Sequence, residues 1–146
     1  MAETAALEAL VAENRQGILA TIHADGRPQL SNILYLWDSE QRVALMTTTA
    51  TRVKARNLRR DPRCSLHVER DFWAYAVADG EAEVSPAAER PGDDVCRELL
   101  PLYTALMGAP EDEAAFFDQM VAEQRVLVRF RYSRLYGLVA DQTPSD

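Results

Sequence analysis

The stretch Ile18-Leu19-Ala20-Thr21-Ile22-His23-Ala24-Asp25-Gly26-Arg27-Pro28-Gln29-Leu30-Ser31-Asn32 decides the fold. Its first half is β-prone, and Asp25-Gly26 supplies the positive-φ turn that a hairpin prefers. A second strand over 29–37 follows. Polar Asp38-Ser39-Glu40-Gln41 then precedes a third strand over 42–48, so the three predict an antiparallel meander. Upstream, Thr4 reads as an N-cap, Leu7, Leu10 and Val11 fall at helical spacing, and Gly17 reads as the stop. Downstream, a short helix is predicted over 51–60, with Val53 and Leu58 as its apolar positions and Asp61-Pro62 as its end. Cys64, Leu66 and Val68 alternate with Ser65, His67 and Glu69 as a strand. Residues 72–84 predict another, in which Gly80 marks a bend or bulge.

Residues 86–124 form a helical insert. Pro101 is expected to kink or split its first helix, and Pro110 to open its second. Residues 124–139 return to strand. The pattern predicts one α+β domain over 1–146, with a mostly antiparallel, barrel-like sheet.

Composition excludes several function classes. No apolar run approaches the roughly 20 residues of a membrane span, and Met1-Ala2-Glu3-Thr4 shows neither the basic nor the apolar region of a secretory signal. Cys64 and Cys96 lie far apart, so they read as free thiols of a reducing cytoplasm. With only His23 and His67 beside them, a metal cage is not expected. The net charge of −7 argues against nucleic acid and anionic membranes, whose fields would repel the chain.

That total hides a partition. Between residues 52 and 63 stand Arg52, Lys54, Arg56, Arg59, Arg60 and Arg63 against Asp61 alone, a block of +5 on a body of −12. Lys54 is the only lysine of the chain. A solvated face paired with the protein's own carboxylates fits such a run, and so does an anion site. Thr47, Thr48, Thr49 and Thr51 just upstream offer hydroxyls, and a helix start adds backbone N–H donors. Arg52, Arg56 and Arg59 share one helical face, with Lys54 directed elsewhere. Six cations cannot serve one phosphate: either the anion is extended, or some of them are structural.

The strand and turn over 18–32, followed by Lys54-Ala55-Arg56-Asn57-Leu58-Arg59-Arg60-Asp61-Pro62-Arg63, resembles the split-barrel flavin and deazaflavin oxidoreductases, the superfamily of pyridoxamine 5'-phosphate oxidase. Residues 73–80 and the segment from Arg125-Val126-Leu127 to Tyr136-Gly137 are similar to its F420-dependent branch, found mainly in actinobacteria. The resemblance implies a six-stranded split β-barrel with peripheral helices. It also implies a cytoplasmic homodimer with a cofactor groove at each subunit interface. On that likeness Gln29, Leu30, Ser31 and Asn32 lie along the ring system, largely through backbone contacts. Thr47, Thr48, Arg52, Lys54 and Arg56 would hold the phosphate and, for F420, its oligoglutamate tail. Trp73 and Tyr75, alternating on one strand, would face the substrate side, with Tyr75 a candidate proton donor. Core or interface packing explains the same two aromatics.

The implied activity is hydride transfer from reduced F420 to a small organic acceptor. The sequence lacks GxSxG, HExxH, GxxxxGK[ST] and GxGxxG, as expected where a cofactor carries the chemistry. Two alternatives remain: an FMN enzyme of the oxidase type, and a carrier that binds F420 or FMN without turnover. Arg131-Tyr132-Ser133-Arg134-Leu135 lacks the Trp and the Arg-Leu-Ala-Pro pattern associated with the oxidase's substrate-phosphate site. A nucleic-acid module would need aromatics among its cations, and residues 52–63 contain none.

Overall fold

A computed structural model describes residues 2–140 of the chain. Helix α1 (Ala2–Glu13) leads into strands β1 (Gln16–Ile22) and β2 (Pro28–Leu34). Then come β3 (Leu36–Asp38), β4 (Val43–Thr49), α2 (Val53–Arg60), β5 (Arg63–Asp71) and β6 (Ala74–Val84). Helices α3 (Asp94–Met107) and α4 (Glu113–Ala122) precede β7 (Arg125–Val139).

The antiparallel sheet has the order β2-β1-β5-β6-β7-β4-β3. Its two terminal strands, β2 and β3, are separated in the chain by Tyr35 alone. A sheet whose opposite ends are joined by one residue must curl on itself, and this one forms a split barrel. Counting β2 and β3 as one bent strand gives the six strands expected. The predicted meander runs along that bent strand: β1 pairs with its β2 half and β4 with its β3 half, and β4 also pairs with β7 on its other side. Tyr35 makes the bend durable: it is fully buried, its N–H donates to the Arg15 carbonyl at 2.8 Å, and its hydroxyl donates to the Val11 carbonyl at 2.5 Å.

Alternation along the strands sends Leu19, Ile33, Met46, Leu66, Val68, Val128 and Phe130 into the barrel. Leu7, Leu10 and Val11 of α1, and Ala55 and Leu58 of α2, complete that core. A second cluster lies outside the sheet, where Leu127 meets Cys96, Leu99 and Leu102 of α3 and Phe116 and Met120 of α4. α3 runs unbroken through exposed Pro101, because its buried stripe on the opposite side holds both halves against one surface. α4 starts later than Pro110 suggests: Asp112 is its N-cap, accepting from the Ala115 N–H at 3.1 Å. Asp93 caps α3 in the same way. Gly17 lies within β1, where a Cβ would stand 2.6 Å from the His67 carbonyl oxygen, so it is a packing glycine and no helix stop. Gly80 faces a register shift between β6 and β7, and a Cβ there would reach 2.0 Å from the Arg131 carbonyl oxygen.

Candidate functional site

The basic block divides at the middle of α2. Arg59 donates to the Ser85 carbonyl at 2.8 Å, and Arg60 to the Ile22 carbonyl at 2.6 Å and to Asn57 Oδ1 at 2.9 Å. Arg63 pairs with Asp61 at 2.8 Å, and its guanidinium holds that carboxyl below the usual range. Among the described residues, Arg52, Lys54 and Arg56 have no such acceptor. The C-terminal cations fasten the helix to the sheet, and the N-terminal ones remain available.

Asn57, at the boundary, is buried and continues the fastening. Its Nδ2 donates to Thr21 Oγ1 at 3.1 Å, and the Thr21 hydroxyl donates to Gln29 Oε1 at 2.6 Å. Arg60, Asn57, Thr21 and Gln29 thus form a directed chain from α2 through β1 to β2. It pins the very strand segment that the sequence reading places along a cofactor ring.

Lys54 projects into a cavity of about 220 Å³ lined by Asn32, Ile33, Leu34, Thr47, Lys54, Tyr103, Leu106, Met107 and Arg125. The cavity brings β2, β4, the start of α2, the end of α3 and the start of β7 together. Burial lowers the Lys54 ammonium below its ordinary 10.5, and the charges of Arg52 and Arg125 lower it further. An ammonium destabilised by two neighbouring cations is a site in want of an anion. Glu123 is the nearby carboxylate, but its Oε2 already accepts from Arg125 Nε at 3.0 Å.

A second hollow of about 380 Å³ adjoins the first. Asn32, Ile33 and Leu34 form part of both walls, and Gln16, Gly17, Ile18, His67 and Glu69 complete it. The His67 ring stacks on Tyr75, with centroids 5.6 Å apart and planes 21° from parallel. A larger hollow, about 1190 Å³, lies elsewhere along β1, β5, β6 and β7. Its Arg63, Arg129 and Arg131 are balanced by Asp79, Glu81 and Glu83, and it holds none of the predicted binding residues. It has no charge preference for an anion.

Of the residues singled out by sequence, Asn32, Thr47 and Lys54 meet at the cationic cavity, and Arg52 is near enough for its charge to act on Lys54. Arg56 is exposed outside the lining. Leu30, 64% exposed, lies on the outer face of β2, while Gln29 and Ser31 are partly buried on the inner side of the same strand. Thr48 departs from its predicted use as a phosphate hydroxyl. Alternation turns it into the barrel with Met46, away from Thr47, and its buried Oγ1 has no partner. The Ser31 Oγ is likewise buried without a partner. Trp73 is a further correction, because it occupies the turn between β5 and β6. It does not share a strand face with Tyr75. Its N–H donates to Asp71 Oδ1 at 2.8 Å, and its ring, 54% exposed, packs edge-on against Phe72.

Sequence reasoning missed Arg125 and Tyr103. Arg125 stands at the head of the resembling segment 125–137, which was the available signal. Tyr103 offered none, since its spacing with Leu99 and Leu106 reads as core. Among the described residues no group of His, Cys, Asp and Glu is placed to hold a metal ion. No described helix is long and apolar enough to cross a membrane.

Comparison with known proteins places this geometry. The sequence profile of the family described as pyridoxamine 5'-phosphate oxidase matches residues 3–138. A conserved hypothetical protein from Mycobacterium tuberculosis shares 30% identity over 92% of this chain and 82% of its own, with a TM-score of 0.67. A structure described as an F420 reductase shares 26% identity over 88% of this chain and 94% of its own, at TM-score 0.65. A heme storage protein from Vibrio cholerae aligns over 94% of this chain and 96% of its own, at TM-score 0.63 and 19% identity, which shows the fold alone.

Proposed function

The chain belongs to the pyridoxamine 5'-phosphate oxidase family, and from that premise we propose that it is an oxidoreductase that uses coenzyme F420 to reduce a small organic acceptor. The observation that carries this reading is the cationic cavity: Lys54 and Arg125 line it, Arg52 acts on it, no described carboxylate is part of its lining, and Glu123 is engaged by Arg125. The charge of a single phosphate ester, as in FMN, is balanced by Lys54 and Arg125 alone. The surplus of Arg52 and Arg56, without acceptors among the described residues, suits an anion that extends outward, such as a phosphate followed by γ-linked carboxylates.

The two hollows fit a ligand with an anionic end and a flat end, joined across Asn32–Leu34. When bound, F420 supplies the hydride. The protein's share is binding and orientation. Lys54 and Arg125 fix the phosphate. β2, a terminal strand of the sheet, offers an unpaired backbone edge along Gln29–Asn32. The chain from Arg60 to Gln29 keeps that edge in place.

The reading includes a homodimer. Strand register puts Leu30, Leu34, Ile18, Tyr136 and Leu138 on one outer face of β2, β1 and β5–β7, each 38–64% exposed. A second copy of the chain would cover them and close the groove. The test of activity mixes the protein with reduced F420 and a panel of quinones, enones and nitroaromatics. Oxidation of the cofactor above the uncatalysed rate with at least one class is expected. No acceleration with any of them, despite tight binding, would make the protein a carrier.

A further inference from the structure

We propose that Tyr103 is a ligand-binding residue of the cationic cavity, whose hydroxyl donates a hydrogen bond to the phosphate held by Lys54 and Arg125. Tyr103 would thereby help the site to prefer a phosphorylated cofactor over its phosphate-free form. The inference rests on the reading that a phosphate ester occupies this cavity.

A count of donors leads to Tyr103. The Thr47 hydroxyl, which lines the cavity, gives its one proton to the Val126 carbonyl at 2.8 Å and has none left for an anion. Arg125 commits its Nε to Glu123. The side-chain donors that remain around the cavity are the Lys54 ammonium, the terminal N–H groups of Arg125, the Asn32 amide and the Tyr103 hydroxyl, which rests against the Thr47 oxygen and would exchange that neutral partner for the stronger one an anion offers. A tetrahedral phosphate presents more oxygens than two cations cover, and a neutral donor adds a directed contact without adding repulsion to a crowded cationic site.

The ring is also held in position. Tyr103 packs edge-on against Phe116 of α4, with centroids 5.1 Å apart and planes at 72°. Its phenol is half-buried: burial raises its pKa above the ordinary value and the Glu123 charge adds to this, while the Arg125 charge and a hydrogen bond with Thr47 pull the other way. The hydroxyl therefore keeps its proton at neutral pH and serves as a donor. Tyr103, Leu106 and Met107 all come from the last turns of α3, so the helical insert supplies one wall of the cavity while the basic helix supplies another.

The test compares Tyr103→Phe with the wild-type protein. Binding of F420 and of its phosphate-free chromophore is followed by fluorescence, with Lys54→Ala alongside. Phe retains the edge contact with Phe116, and the variant should melt with the wild type. Loss of one hydrogen bond to a charged group is expected to weaken F420 roughly tenfold, with binding of the chromophore unchanged. Equal weakening of both ligands would show a packing role and overturn the proposal. Unchanged F420 binding in Tyr103→Phe, with a loss in Lys54→Ala, would overturn the role of Tyr103 and leave the anion site standing. No change in either variant would remove the anion site itself, and Tyr103 with it.

Discussion

The two ends of one eight-residue helix put the same kind of charge to opposite uses. Arg59, Arg60 and, just beyond the helix, Arg63 are each satisfied by a carbonyl or carboxylate of the protein. Among the described residues Arg52, Lys54 and Arg56 have no hydrogen-bonded carbonyl or carboxylate, although the Arg52 charge acts on Glu123, and Lys54 sits half-buried between two other cations at its own expense. Counting cations along the sequence cannot distinguish these ends. Counting acceptors can: the paired end stabilises the fold, and the unpaired end stores a strain that a bound anion would relieve.

The largest way to break that contrast is Lys54→Ala. Removing one member of a partly desolvated charge pair costs roughly 2–5 kcal/mol, so F420 affinity should fall about 30-fold or more. The same variant should melt no lower than the wild type without ligand, because its repulsion with Arg52 and Arg125 is gone. Calorimetric titration and a thermal melt together check both halves. Asn57→Ala should do the reverse. It leaves the buried Thr21 hydroxyl without a donor and Arg60 without one acceptor, a destabilisation of about 2–3 kcal/mol by denaturant unfolding. Arg60→Ala comes next, with about 1–2 kcal/mol of stability lost and a loss of F420 affinity, through the loosened Gln29–Asn32 edge, well below that of Lys54→Ala. If Arg60→Ala weakened binding as much as Lys54→Ala, the division of the block would be wrong.

Acidity sharpens the same comparison with smaller effects. The Lys54 pKa is lowered in the folded protein, so between that value and 10.5 the unfolded chain binds more protons. The ligand-free protein should therefore gain stability as pH rises through this window, while its affinity for an anion falls. Lys54→Arg should abolish the alkaline loss of affinity. The smallest effect belongs to Asp93. Burial raises its carboxyl, but backbone N–H groups of Cys96, Glu89 and Arg90 outweigh that and hold it at about 2. Its capping contribution is full above the ordinary 3.8 and is lost as pH falls from there toward 2. Acid unfolding of Asp93→Asn should be shallower across that window.

Much of the barrel was legible in the residues. Alternation over 63–69, the Asp25-Gly26 turn and the glycine at 80 each encode a local requirement that tertiary packing did not override. The bend at Tyr35 was hidden, because a strand crossing from one end of a sheet to the other looks locally like one strand. Trp73 was misplaced for a related reason: a two-residue turn made of the aromatics Phe72 and Trp73 keeps the look of alternation. In the site, Lys54 and Thr47 could be named because they lie within one short block. Arg125 and Tyr103 come from far along the chain and meet that block only in space. Thr48 shows the limit of composition, since four neighbouring hydroxyls cannot all face one ligand when a strand turns alternate residues inward.

The central claim is that the unpaired end of α2 holds an extended anion. The most direct measurement is a fluorescence titration of the ligand-free protein with F420 and with FMN, repeated on Lys54→Ala. F420 should bind more tightly than FMN, and Lys54→Ala should lose most of that affinity while Arg60→Ala keeps the larger part of it. Tighter binding of FMN, or F420 affinity unaffected by Lys54→Ala, would contradict the account.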